Sequence, residues 1–275
     1  MSALASTEAL AQHPEWRVFD CRHDLANPAL GEQQYLESHI PGALFAHLDR
    51  DLSAPTTGAN GRHPLPEAKA FIAWLGKQGL KATDTVICYD AGPGAMASRL
   101  WWMLRWVGHE QAMVLDGGLA KWQREGRPVT AELPRFEPAP YPGKAKASMH
   151  ASLATVEKKL KRAALLDARA PARYRGEHEP IDPVAGRIPG AKNRYNGENM
   201  SADGVFKSPE QLRADFEAVL AGRRPEEVIH YCGSGVAACH NALAMEIAGL
   251  PGSRVYVGSW SEWSRDPGRP IARSA

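Results

Sequence analysis

Short runs of apolar and β-branched residues alternate along the chain with stretches whose apolar positions recur at helical spacing. That alternation predicts parallel strands joined by crossover helices, an α/β protein. The pattern is clearest in the second half. Ser208, Pro209 and Gln211 supply an N-cap, a proline at the first helical position and the partner residue of a capping box. Leu212, Phe216, Val219 and Leu220 then set one apolar stripe toward a sheet. Val228 to Tyr231 is short and mostly apolar, as a buried parallel strand is. The Ala-rich run from Val236 to Ala248 reads as the next helix, which leaves 233–237 as a tight strand-to-helix loop. In open α/β sheets, loops at the carboxyl ends of strands are where ligands bind.

The pattern also repeats. VFDCR from Val18 matches LLDAR from Leu165, and HIPGA from His39 matches RIPGA from Arg187. VICYDAGPGA from Val86 matches VIHYCGSGVA from Val228, and DGGLAKW ending at Trp122 matches VGSWSEW ending at Trp263. The segments keep their order and their offset drifts by only a few residues, so insertions fall in loops. Prolines at 128, 134, 138, 140 and 142 interrupt the chain between the copies and favour an extended connector. The expected organisation is residues 1–126 as the first domain, 127–147 as a Pro-rich linker and 148–275 as the second domain.

Composition narrows the function. The 275 residues carry 33 basic and 31 acidic side chains, net +2, which argues against binding nucleic acid through bulk charge. The tightest apolar stretch, Leu100 to Leu104, is closed by Arg99 and Arg105, so no membrane span is expected. The first residues show neither the basic cluster nor the apolar run of a secretory signal, so a cytoplasmic location is expected. Four cysteines without a C-x-x-C pair are expected to be free thiols, Cys21 and Cys88 in the core. Histidine spacing suggests no metal site: His109-Glu110 lacks the second histidine of H-E-x-x-H. No cofactor is expected.

Candidate chemistry concentrates at Cys232, at the end of the 228–231 strand and before the Gly-rich loop. GSGVAA after Cys232 and GPGAMA after Ala91 both fit G-x-G-x-x-A, a weak dinucleotide signal, and in the first copy Asp90 would repel a pyrophosphate. A cysteine phosphatase would need arginine in C-x5-R, where Ala238 stands. The remaining reading is sulfur transfer. Loop amides and the following helix favour thiolate over thiol and can hold an anionic persulfide. The plain alternative for Cys232 is a buried inert thiol.

The sequence CGSGVAAC, the IPGA segments and the tandem α/β repeat resemble the two-domain rhodanese and 3-mercaptopyruvate sulfurtransferase family over nearly the whole chain. The resemblance implies two rhodanese-like domains, each a parallel sheet flanked by helices, of which the second carries the catalytic cysteine. The first, with Asp90 at the equivalent strand end, is then non-catalytic. The neutral CGSGV loop is similar to the mercaptopyruvate branch, whereas thiosulfate-preferring relatives carry basic residues there. Ala237 departs from the family's CGSGVTAC, where threonine would offer a hydroxyl to the persulfide.

By resemblance, Cys232 is the nucleophile and Ser234, His63 and Asp49 form its relay. Each of these three also fits a plain loop or turn position. Gly233, Gly235, Val236 and Ala237 line the persulfide, and Arg173 binds the donor carboxylate, which suits the planar fork of arginine. The family's second arginine has no match in EPIDPVAG. Arg187 and Arg194 are the nearest candidates, Arg187 being either an anion ligand or a surface charge. Asp20/Arg22 and Asp167/Arg169 recur in both copies and read as structural ion pairs. Cys239 is expected to lie too far along the helix to pair with Cys232, and the tryptophans to serve packing. The implied donor is a small sulfur compound, 3-mercaptopyruvate with thiosulfate as the alternative. The implied acceptor is a thiol such as thioredoxin, or cyanide; a non-turnover persulfide carrier is the second alternative.

Overall fold

In a computed structural model the described residues are 2–160 and 162–274. Chain contacts divide into two compact units: Met1–Ala54, Pro66–Lys146 and Ala202–Phe206 in the first, Pro55–Leu65, Ala147–Ser201 and Lys207–Ala275 in the second.

The first unit is built on β1 (Leu4–Ala5), β2 (Arg17–Asp20), β3 (Ala43–Phe45), β4 (Val86–Tyr89) and β5 (Ala112–Leu115), all parallel in the order β1-β5-β4-β2-β3. The second has β6 (Ala164–Asp167), β7 (Lys192–Asn193), β8 (Val228–Tyr231) and β9 (Arg254–Val255), parallel in the order β7-β6-β8-β9. Val18, Ile87, Leu115 and Trp122 are buried in one core, and Leu165, Ile229, Trp260 and Trp263 in the other. Non-sequential strand order with helices between strands is the crossover pattern that the alternating sequence predicts.

The duplication extends to buried polar groups. In register, Asp20 faces Tyr89 and Asp167 faces Tyr231. Arg22 and Arg169 each pair with the aspartate two residues earlier, at 2.7 Å in both copies. The Tyr89 and Tyr231 hydroxyls accept from Ile40 N and Ile188 N, the backbone of the two IPGA segments. Each pair therefore ties the central strands to the same turn, the structural role expected of residues present in both copies.

The capping box at Ser208 forms, with Ser208 Oγ accepting from Gln211 N, and the helix runs Pro209–Leu220. The expected boundaries differ from the packing in three places, one of them 202–206, which goes with the first unit. Most of the Pro-rich 127–147 segment lies on the first unit: His39 N donates to Thr130 O, Ala139 N to Gly76 O, and buried Tyr141 bonds His109 Nδ1 at 2.7 Å. Residues 55–65, which precede it by some 60 positions, pack with the second unit. Proline dictates that a segment is extended but not what it lies against.

Candidate active site

β8 ends in Tyr231, and Cys232 follows with 3% of its surface exposed. The chain turns through 233–236 into the Ala237–Ile247 helix. Gly235 makes that turn in the left-handed region, φ +82°, where a side chain would run into the Val257 backbone. The turn directs Gly235 N at the cysteine, donating to Cys232 Sγ at 3.1 Å. Cys239 Sγ donates to Gly235 O, also 3.1 Å, so the second cysteine of CGSGVAAC braces the loop. All four cysteines are free thiols.

A second loop holds the first. Trp260 N donates to Cys232 O and Ser261 N to Gly233 O, while Ser259 Oγ accepts from Cys232 N at 3.1 Å. Ser259 has φ +56°, strained for a serine, at the place where the first copy has Gly118 with the same φ. The hydroxyl that receives Cys232 N accompanies the strain. Sequence reasoning missed Ser259; its pairing with Gly118 in the repeat was the available signal.

The first copy shows what this type of loop holds. Asp90 occupies the strand end, and its carboxylate accepts from the N–H groups of Gly92, Gly94, Met96 and Ala97 at 2.9–3.2 Å. Convergent amides at a helix N-terminus thus enclose an anionic side chain.

Of the remaining expected residues, Ser234 and His63 meet, with Ser234 Oγ and His63 Nδ1 2.7 Å apart and both side chains buried. The contact joins residues 171 apart in sequence and lies within the second unit. Asp49 belongs to the first unit. Its amide donates to His47 Nδ1, and its carboxylate stands 3.9 Å from His23 Nε2. His23, His47 and Asp49 each bring one ligand-type atom within 4.8 Å of the others, a grouping that histidine spacing did not reveal.

Arg173 donates to Glu179 from Nε and Nη2, the latter at 2.7 Å, and to Asp182 Oδ2 from Nη2 at 3.1 Å. Asp182 Oδ1 pairs with Arg62 Nη1. A Cβ built on Gly233 would lie 2.8 Å from Arg62 Nη2 and 3.4 Å from Arg173 Nη2, so two guanidinium groups flank the residue after the cysteine. Arg62 is held by its amide, which donates to Ser261 Oγ at 3.1 Å. Burial pushes the Asp182 carboxyl up against the pull of Arg62, whereas the bonds from Arg173 and Asp182 N outweigh burial and hold Glu179 below the usual range.

The structure brings the other two candidate arginines elsewhere. Arg187 lies over the Tyr174 ring and bonds Tyr174 O and Ser274 Oγ. Arg194 lies over Phe216 and pairs with Glu198 and Asp215. Arg62 went unnoticed because it is 171 residues from Gly233, the loop residue it reaches, in a segment where the sequence singled out His63.

This architecture, two α/β units each built on a parallel sheet, with the cysteine at a strand end of the second, is that of the rhodaneses. The model of the rhodanese-like domain matches residues 4–125 and again 152–266, and the chain belongs to that family. It is a sulfurtransferase. It is 48% identical to a probable 3-mercaptopyruvate sulfurtransferase of Pseudomonas aeruginosa, over 96% of this chain and 94% of that protein. It is 37% identical to the thiosulfate sulfurtransferase of Bos taurus, over 95% and 91%. Among solved structures it resembles 3-mercaptopyruvate sulfurtransferase from Leishmania major, with TM-score 0.85 and 32% identity over 96% of this chain and 74% of that one. Against SseA from Escherichia coli, described as a 3-mercaptopyruvate sulfotransferase, the TM-score is 0.79 with 31% identity over 95% and 100%. No helix among the described residues is long and apolar enough to cross a membrane.

Proposed function

We propose that the chain moves sulfane sulfur from 3-mercaptopyruvate to a thiol such as thioredoxin, or to cyanide, through a persulfide on Cys232. The observation that carries this reading is the convergence on one loop of the Gly235 N–H, donating to Cys232 Sγ, and the Ser234–His63 pair. The Cys232 thiolate attacks the donor sulfur. A new S–S bond forms, the donor C–S bond breaks, and its electron pair passes into the enolate of pyruvate. The proton carried by the donor thiol balances the enolate carbon, leaving Cys232–S–S⁻ and pyruvate. The acceptor then attacks the outer sulfur, and the S–S electron pair returns to Cys232 Sγ.

Ser234 Oγ donates a hydrogen bond to the enolate oxygen as charge develops, and His63, through Nδ1, orients that hydroxyl. The family's relay carboxylate matches Asp49 by sequence alone, and Asp49 keeps to the first unit, beside His47 and His23. Gly233, Gly235, Val236 and Ala237 surround the outer sulfur, with amides in place of the missing threonine hydroxyl, and Arg173 takes the donor carboxylate. The four free thiols suit a reducing compartment, which supports a cytoplasmic location as our reading.

Thiosulfate as donor is the second reading. The guanidinium pair at Gly233 favours it, because a sulfonate end is the kind of anion that two arginines hold. Intact-mass measurement after mixing with each donor tests both readings. One added sulfur atom in the wild type and none in Cys232→Ser is expected; an adduct that survives in the variant would refute Cys232 as the nucleophile.

A further inference from the structure

We propose that the second unit carries an anion site remote from the sulfur chemistry, at the amino-terminal edge of its sheet, and that this site takes a small organic polyphosphate. The inference goes beyond the reaction proposed above and does not depend on it.

A cleft of about 640 Å³, the size of an ordinary small-molecule site, opens where β6, β8 and β9 begin. Ala163 precedes β6, Glu227 precedes β8 and Arg254 opens β9, and all three line it. Ile229 lies in register beside Arg254 and, with Ala163, supplies the apolar part of the wall. Cys232 stands beyond the other end of β8. Four steps of about 3.3 Å along the strand separate it from Val228, about 13 Å in all, so an occupant of the cleft does not touch the sulfur.

Five cations line the cleft, from three stretches distant in sequence. Lys158 and Lys159 end the Leu153–Lys159 helix and Arg162 follows in the next turn, Arg224 precedes β8, and Arg254 belongs to β9. Two carboxylates oppose them, which leaves +3 at this one place in a chain whose net charge is +2. Glu227 is already engaged, accepting from Arg224 N at 3.0 Å and pairing with Arg223 and Arg224, while Glu226 lies against Gly252. Elsewhere in this unit the buried arginines are matched, Arg173 to Glu179 and Arg194 to Glu198 and Asp215. Lys158, Lys159, Arg162 and Arg254 form no ion pair among the described residues, although Arg254 is half-buried. A guanidinium that has lost part of its water without gaining an acceptor is stabilised by an arriving anion. The negative end of their helix accounts for Lys158 and Lys159, but Arg162 and Arg224 on turns and Arg254 on a strand have no such reason to gather.

The chemistry of the wall selects the ligand. A guanidinium fork takes two phosphate oxygens at once, and the lysine ammonium groups act as point charges. A single tetrahedral anion is too compact to meet cations spread around the cleft, whereas a row of phosphates reaches them together. A diphosphate or triphosphate ester carries about −3 to −4, which matches the local +3. Its organic part then falls on Ala163 and Ile229, with the Thr155 hydroxyl beside them.

Calorimetric titration of the full chain with ATP, inorganic phosphate and citrate, free of divalent cations and at fixed ionic strength, tests the proposal. ATP is expected to bind about tenfold or more tightly than citrate, a comparable charge without phosphates, and than phosphate. Arg254→Gln is expected to weaken ATP about tenfold, since a charge-assisted bond is lost, and Arg162→Gln, on the exposed turn, about threefold. Persulfide formation on Cys232, read by intact mass, is expected to be unchanged in both variants. Arg173→Gln, beside the cysteine loop, is expected to leave ATP affinity unchanged. If Arg254→Gln does not fold, Arg162→Gln decides alone. No ATP binding up to about 10 mM, or citrate bound as tightly as ATP, would overturn the site or its ligand class. ATP affinity lost in Arg173→Gln and kept in the cleft variants would put the anion beside the cysteine instead, and a fall of persulfide formation in the cleft variants would contradict the separation of the two sites.

Discussion

Replacing Gly235 by alanine tests the loop geometry on which the chemistry depends. At φ +82° an L side chain costs about 1–2 kcal/mol. The new Cβ also meets the Val257 backbone, 2.8 Å from its Cα, which cannot give way as a flexible side chain does. A forced shift of that kind adds about 1–3 kcal/mol, for a total of about 2–5 kcal/mol. In a chain of this size each kcal/mol lowers Tm by about 2–4 °C, so a fall of about 4–20 °C is expected. The shift also moves the N–H that donates to Cys232 Sγ, and losing one such donor costs about 100- to 1000-fold in rate. Gly94→Ala is the matched control. It has the same φ of +82°, but its Cβ would meet only Val114 Cγ1 at 3.4 Å and Phe206 Cε2 at 3.6 Å, ordinary contacts. It therefore carries the backbone cost alone and leaves sulfur transfer intact. Differential scanning calorimetry with single-turnover persulfide formation reads both effects. If Gly235→Ala melts with Gly94→Ala and forms persulfide within about threefold of wild type, the loop does not act as argued.

Ser234→Ala removes the hydroxyl bonded to His63, so turnover of mercaptopyruvate is expected to fall about 100-fold or more while thiosulfate, which leaves no enolate, is little affected; equal loss on both donors contradicts the relay. Asp90→Asn replaces a carboxylate that accepts four N–H groups with an amide whose NH₂ faces donors, and a loss of about 2–3 kcal/mol in denaturant unfolding with transfer unchanged is expected; an unchanged midpoint contradicts it. His230 is fully buried with neither ring nitrogen bonded, and burial drops its pKa from 6.5 to about 3. The unfolded chain therefore takes up a proton below about pH 6.5 that the folded chain refuses, and stability falls by about 1.4 kcal/mol per pH unit as pH drops toward 3. His230→Leu is expected to remove that slope, so that between pH 7 and 4.5 the wild type loses about 2–3 kcal/mol more than the variant; parallel pH profiles of unfolding count against it.

Periodicity and duplication made much of the fold legible. Alternating apolar patterns marked β8 and its flanking helices, Ser208 and Gln211 marked a helix start, and the repeated Asp–Arg pairs marked structural groups, because each signal lies within a few residues of chain. The position of Cys232 was readable for the same reason: strand, cysteine, glycine loop and helix are consecutive. Tertiary packing decided what no local pattern encodes. It placed 55–65 in the second unit, set His63 on Ser234 and Arg62 at Gly233, and sent Arg187 to Tyr174 instead. It also laid most of the Pro-rich segment on the first unit and put Ser259 into a strained turn under Cys232. Backbone propensity and hydrophobic period are properties of neighbouring residues, whereas the meeting of two polar side chains depends on where the packed elements deliver them.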